Sequence, residues 1–168
     1  ISFEQTHQFS SLFQDYINQK EELKPFYNYY PDPENFGRII AEKKFPDSSR
    51  QVLYKSLLNQ YHHSSLTEKV QQNLEMLLDP NTYTVTTGHQ LCLFTGPVYF
   101  IYKIITTINL AKELHQKYPD KNFVPVFWMA SEDHDFEEVN HFYFNNKKFE
   151  WPSSQKGPVG RFNTNELN

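Results

Sequence analysis

Tyr83-Thr84-Val85-Thr86-Thr87-Gly88 and Phe123-Val124-Pro125-Val126-Phe127-Trp128-Met129-Ala130 are the stretches that decide the fold. The first is a β-branched and aromatic run that stops at a glycine, which predicts a strand entering a tight turn. The second is almost continuously apolar, as expected of a parallel strand covered on both faces. Pro125 is awkward inside a central strand and predicts the strand's first residues or a bulge. Between them a loop runs to Gly96-Pro97. Val98, Ile101, Ile105, Ile108 and Leu110 then carry a long helix towards Lys117, which Tyr118-Pro119-Asp120 stops. Pro97 suits the start of that helix, where its missing N–H has no intrahelical partner to lose. Strand, crossover helix and strand make a βαβ unit.

Working outward, Asn140 to Trp151 alternates like a small hairpin turning at Asn145-Asn146, and the polar tail after Pro152 predicts no clear element. Upstream, the chain reads as helices. Phe9, Leu12, Phe13, Tyr16 and Ile17 follow one helical face, with Ser2 or Thr6 as its start and Pro25 past its end. A Tyr/Pro-rich turn, Tyr27 to Pro33, precedes a short helix around Glu34 to Lys43. Leu53, Leu57, Leu58 and Tyr61 mark a third helix, broken at Ser64-Ser65. Thr67 begins a fourth, with Val70, Leu74 and Leu77 on one face and Asp79-Pro80 at its close. These stripes are expected to pack a core. The expected organisation is a helical region over 1–80 and a Rossmann-like, nucleotide-binding α/β unit over 81–168.

Composition narrows the function classes. The aromatic share is 17%, enough large side chains to build a core despite a mean hydropathy of -0.70. The formal charge is -4, the arginines are Arg38, Arg50 and Arg161 alone, and no basic run could follow a phosphate backbone. A dedicated nucleic-acid binder is therefore excluded. Cys92 is the single cysteine, so no disulfide framework or multi-cysteine zinc site can form. No stretch approaches the apolar length of a membrane span, and Ile1 onward shows no signal-peptide pattern. A cytoplasmic protein is the expectation.

In a right-handed βαβ unit both strands point the same way, so their carboxyl ends share one sheet edge. Neighbouring strands would lie roughly 5 Å apart, or about twice that with one strand between them. Thr87-Gly88-His89-Gln90 leaves one end and Ser131-Glu132-Asp133-His134-Asp135 the other. Open α/β sheets bind ligands along this edge. Each cluster also has a plainer reading. Gly88 can simply turn the chain, His89 can be a loop histidine, and Cys92 a small buried hydrophobe. Gly96-Pro97 can merely start a helix, although helix N-termini also present free N–H groups to phosphates. The acidic cluster can cap the next short helix, with Asp135, Glu137 and Glu138 favouring its N-terminus. Alternatively Glu132, Asp133, His134, Asp135 and His141 offer metal ligands, as a metal-dependent hydrolase would need, although their spacing fits no closed zinc pattern. A non-catalytic interaction module is a third reading.

Two blocks carry a family resemblance. Thr86-Thr87-Gly88-His89-Gln90, followed by Leu93-Phe94-Thr95-Gly96-Pro97 and Tyr102-Lys103, resembles the bacillithiol biosynthesis cysteine-adding enzymes (BshC). So does Val124-Pro125-Val126-Phe127-Trp128, running into Glu132-Asp133-His134-Asp135-Phe136-Glu137-Glu138-Val139-Asn140-His141. The resemblance covers the whole chain in order. It implies a Rossmann-like core of the nucleotidyltransferase type within a larger protein, a helical coiled-coil domain and a homodimer. The implied reaction joins cysteine to glucosaminyl malate to give bacillithiol, with ATP or ADP as cosubstrate and at most Mg accompanying the nucleotide. By analogy with class I synthetase-like folds, Thr87, Gly88, His89, Gln90 and Gly96 are expected on the nucleotide side, with His89 and the Gly88 N–H at a phosphate. Ser131, Glu132, Asp133, Asp135 and Asn140 are expected on the substrate side. Amide formation requires an activated carboxylate, such as an acyl-adenylate. Glu132 or Asp133 would hold the cysteine ammonium and His134 would take its proton so that the amine attacks. Catalytic roles therefore fall on His134, Asp133 and His89. Because the family's members are longer, the chain is expected to be a fragment that is inactive alone.

Overall fold

The computed structural model describes residues 1–62, 64–93 and 96–165. Phe94 and Thr95 of the first motif lie outside them. The chain divides into compact units at Ile1–Lys44 and Phe45–Asn168.

The first unit is a run of short helices. The periodic face around Phe9 does not form one helix from Ser2 or Thr6. It splits into α1 (Phe3–Thr6), capped by a Ser2/Gln5 capping box, and α2 (Ser11–Ile17), whose N–H at Phe13 is accepted by Ser10. Competing caps explain the break. Ser2 and Ser10 each satisfy the free donors of their own helix, while His7 takes the left-handed conformation between them. Its apolar side chains form no deep core. Phe3, Phe9 and Phe13 pack as rings, but Leu12 stays 64% exposed. A 3-10 turn (Glu21–Phe26) and α3 (Phe36–Glu42) complete this unit.

The second unit holds the sheet. α4 (Asp47–Gln60) and α5 (Glu68–Met76), the latter capped by Thr67, precede β1 (Thr82–Gln90). α6 (Val98–Lys117) crosses to β2 (Asn122–Ala130), which pairs parallel with β1 from Thr82↔Asn122 to Gln90↔Ala130. Leu74 and Leu77 pack against Val124 and Val126 on one face, supported by Leu53, Leu57 and Val70. The other face carries Phe123 and Phe127, which meet Tyr118 and Phe100 at the two ends of α6. The unit is α/β and Rossmann-like, with helices on both sides of a parallel pair. Pro125 sits mid-strand opposite Val85, tolerated because β2 pairs on one side only among the described residues. After a turn, α7 (Phe136–Val139) leads to the hairpin of β3 (His141–Phe144) and β4 (Lys147–Glu150). Asn145 and Asn146 both have positive φ (48° and 61°), as a two-residue primed turn demands. The tail contributes a 3-10 turn at Val159–Arg161 that the polar sequence had not suggested.

Arg50 is 6% exposed and forms no ion pair among the described residues. Its guanidinium donates to the carbonyls of Leu77, Pro80 and Thr82 at 3.1 Å each, and lies 5.5 Å from the Phe45 ring centroid. A buried cation thereby satisfies the carbonyls where α5 turns into β1.

Candidate functional site at the strand carboxyl edge

β1 runs two residues past Gly88, so that glycine is not the tight turn its position implied. The reason for glycine is space. A Cβ there would lie 2.9 Å from the Trp128 carbonyl oxygen and 3.1 Å from its Cβ. The strand's extension carries His89 and Gln90 to the sheet edge beside Met129 and Ala130.

His89 points to the α6 side and is 9% exposed. Its Nδ1 lies 3.0 Å from the Gln90 carbonyl and 3.5 Å from Cys92 Sγ, and its Nε2 lies 3.1 Å from the Tyr99 hydroxyl. Both ring nitrogens are therefore engaged within the protein, and the solvent-facing member of the group is Tyr99, 50% exposed on the first turn of α6. One helical turn on, Lys103 donates to the Gly88 carbonyl at 3.1 Å, with its ammonium 5.6 Å from the Tyr99 ring centroid. Burial, and secondarily the negative charge of Glu138, push the Cys92 thiol above its ordinary pKa, which keeps it protonated. Gly96 takes a left-handed φ of 65° and packs on Cys92, where a Cβ would lie 2.7 Å from the cysteine Cβ.

The parallel register sets Gln90 beside Ala130, so the segment after β2 starts next to the end of β1. Gln90 Nε2 donates to Glu138 Oε2 of α7 at 2.7 Å, tying the end of β1 to the helix that follows β2. Within the acidic segment, Trp128 Nε1 donates to Glu132 at 3.2 Å, and Asp133 Oδ1 accepts the Asp135 N–H at 2.9 Å. Asp133, not Asp135, thus orders the approach to α7; Asp135 occupies the cap position without a side-chain bond. The side chains of Thr87, Ser131, His134 and Asp135 make no hydrogen bond among the described residues, which leaves them available to a ligand. Asn140 differs. It is 6% exposed and bonded to Glu150 (3.4 Å) and His141 (3.1 Å), so it joins α7 to the hairpin.

The tail braces this loop. The N–H groups of Val159 and Gly160 donate to the carbonyls of Asp133 (2.8 Å) and Ser131 (2.9 Å). A Cβ at Gly160 would fall 2.5 Å from Ser131 Cβ, so only glycine permits that approach. Tyr99 and Gly160 were not anticipated at the site, and Glu138 was read only as favouring the N-terminus of the short helix, because no local motif encodes their contacts. The i, i+4 spacing of Tyr99 and Lys103 was a signal, readable only once α6 is known to start beside β1. Among the described residues, no group of three or more His, Cys, Asp or Glu side chains could hold a metal ion. The metal-hydrolase reading therefore has no support. An open cavity of about 250 Å³ lies elsewhere, near the start of β2, lined by Met76, Ile108, Ala111, Phe123 and Pro125. It is mainly apolar and removed from the polar carboxyl edge.

The profile of the family described as "Bacillithiol biosynthesis BshC, N-terminal Rossmann-like domain" matches residues 1–168. This chain belongs to the BshC family. A Flavobacterium johnsoniae protein named "Putative cysteine ligase BshC" is 54% identical over 99% of the chain, and the match covers 32% of that protein. Proteins of the same name from Flavobacterium psychrophilum and Bacillus licheniformis are 50% and 37% identical, over 99% and 83% of the chain and over 32% and 26% of their own lengths. The chain thus spans about a third of the length of these BshC relatives. No helix among the described residues is long and apolar enough to cross a membrane.

Proposed function

We propose that the intact protein containing this chain is a cysteine ligase of bacillithiol biosynthesis, adding cysteine to glucosaminyl malate with consumption of a nucleotide. The observation that carries the reading is the family match over residues 1–168, joined to a parallel strand pair whose two polar ends are hydrogen-bonded across Gln90 and Glu138. Family membership names the chemistry, and the shared edge supplies a place for it.

In this reading, the carboxylate of cysteine attacks the α-phosphorus of ATP and expels pyrophosphate, giving an acyl-adenylate. The amine of glucosaminyl malate then displaces AMP and releases one proton. Thr87, Gly88, Gln90 and Gly96 form the nucleotide side, with the Lys103 ammonium beside the Gly88 carbonyl as the fitting cation for a phosphate. Ser131, Glu132, Asp133 and Asp135 form the substrate side, where carboxylates suit an ammonium group. His134, exposed and without an internal hydrogen bond among the described residues, accepts the proton of the attacking amine. His89, enclosed as it is, serves the site from behind. Asn140 acts by holding the substrate-side loop. The same reading makes the intact protein a cytoplasmic homodimer and residues 1–168 alone inactive.

The test is direct. Purified intact protein incubated with cysteine, glucosaminyl malate and ATP should form the cysteinyl conjugate and AMP, seen by mass spectrometry. No conjugate with any nucleoside triphosphate, from protein shown to be folded, would defeat the assignment.

A further inference from the structure

His89 and Tyr99 form a hydrogen-bonded couple whose polarity is inferred from what surrounds the His89 ring. A carbonyl oxygen can only accept a hydrogen bond, so the 3.0 Å contact between His89 Nδ1 and the Gln90 carbonyl places the ring proton on Nδ1. The Cys92 thiol, protonated and 3.6 Å from the same carbonyl, donates there too and requires no lone pair from Nδ1. A ring that carries its single proton on Nδ1 has Nε2 as an acceptor, and the Tyr99 hydroxyl donates to it across 3.1 Å. A phenol has one proton. With that proton committed inward, the half-exposed Tyr99 oxygen offers only lone pairs outward.

Lys103 restricts what those lone pairs can receive. Its ammonium stands 5.6 Å from the Tyr99 ring centroid and spends one donor on the Gly88 carbonyl. A second cation beside the same ring would be repelled, whereas an anionic group would be drawn to the ammonium's remaining donors. The fitting ligand carries a neutral hydroxyl for Tyr99 and a negative group for Lys103.

We propose that Tyr99 is a ligand-contacting residue of this site, held by His89 as a hydrogen-bond acceptor for a hydroxyl of a hydroxylated anion, with Lys103 meeting the anionic group. His89 is its positioning residue rather than a catalytic one. The inference rests on the functional reading above for its ligands. A nucleotide, with ribose hydroxyls and phosphates, and glucosaminyl malate, with sugar hydroxyls and carboxylates, share the required chemistry.

Calorimetry on the intact protein distinguishes the two sources. ATP, its 2′-deoxy and 3′-deoxy forms, and glucosaminyl malate are titrated separately into wild type, Tyr99→Phe, His89→Asn and the double variant. Tyr99→Phe should weaken one of the two ligands about three- to tenfold, the loss of one hydrogen bond, and leave the other unchanged. If ATP is the affected ligand, one deoxy form should show the same loss on wild type and none on Tyr99→Phe. His89→Asn should weaken the same ligand and add little in the double variant, because it acts through Tyr99. Unchanged affinity for both ligands in folded Tyr99→Phe, or full additivity with His89→Asn, would overturn the proposal. ¹⁵N NMR of the His89 ring gives a readout independent of any ligand. An Nδ1–H tautomer supports the acceptor assignment, and an Nε2–H tautomer overturns it. Failure of the functional reading has a separate signature: wild-type protein that binds neither ligand, which overturns the ligand class whatever the tautomer shows.

Discussion

At the residue scale, Gly88, Cys92 and Arg50 show how one side chain, or the lack of one, sets the local structure. Gly88 allows β1 to pass Trp128 at a distance no Cβ tolerates. Gly88→Ala must push the strands apart at the site and should cost about 1–3 kcal/mol by chemical denaturation. Cys92 is held protonated by burial and by Glu138. Its raised pKa means a smaller thiolate fraction at any pH below that value, so at pH 8 iodoacetamide should label Cys92 more slowly than free cysteine. Labelling at the free rate would contradict the enclosed thiol described here. Arg50 satisfies three carbonyls with one cation. Removing it in Arg50→Met strands those oxygens, and the unfolding midpoint should fall by an amount equivalent to about 1.5–3 kcal/mol.

At the element scale, the predicted order of strand, crossover helix, strand and hairpin is the order observed, and Thr67 caps α5 as its position suggested. The errors have physical causes. The run around Phe9 has helical spacing, yet local caps divided it, because short-range hydrogen bonds compete with periodicity. In α6 the apolar spacing of Val98, Ile101, Ile105 and Ile108 identified the helix but not its buried face. Those residues are 37–67% exposed, while Thr107, Ala111 and Leu114 are the ones buried. Both stripes have helical spacing, so periodicity cannot choose between them. Leu114, 1% exposed, is the firmest contact of that helix, and Leu114→Ala should cost about 2–5 kcal/mol in thermal or denaturant unfolding. A loss below about 0.5 kcal/mol would contradict the packing of α6 on the sheet.

At the scale of the whole molecule, the candidate site edge belongs to a sheet whose outer sides are unpaired among the described residues. Beside the β1–β2 pairing, the Gln90–Glu138 bond is a side-chain link between the two halves of that edge. A double-mutant cycle on Gln90→Ala and Glu138→Ala should return a coupling of about 0.5–1 kcal/mol, and a zero coupling would mean that the halves are held together by other contacts. The second apolar stripe of α6 bears on handling as well. Residues 1–168 expressed by themselves should self-associate, and Ile101→Glu with Ile105→Glu should reduce that association in sedimentation velocity.

By itself the sequence determined the α/β class, the parallel pair, the hairpin with its Asn-Asn turn and the family, because these rest on local preference, topology and long motifs. It also determined that Thr87–Gln90 and Ser131–Asp135 share an edge, since both follow parallel strands joined by one crossover. Only the tertiary structure decided what each residue contacts there. It enclosed His89 behind Tyr99, bound Asn140 to the hairpin, set Lys103 against Gly88, and brought Gly160 back onto Ser131. The physical reason is that a side chain's role depends on which neighbours occupy its donors and acceptors, and these neighbours come from segments far apart in the chain.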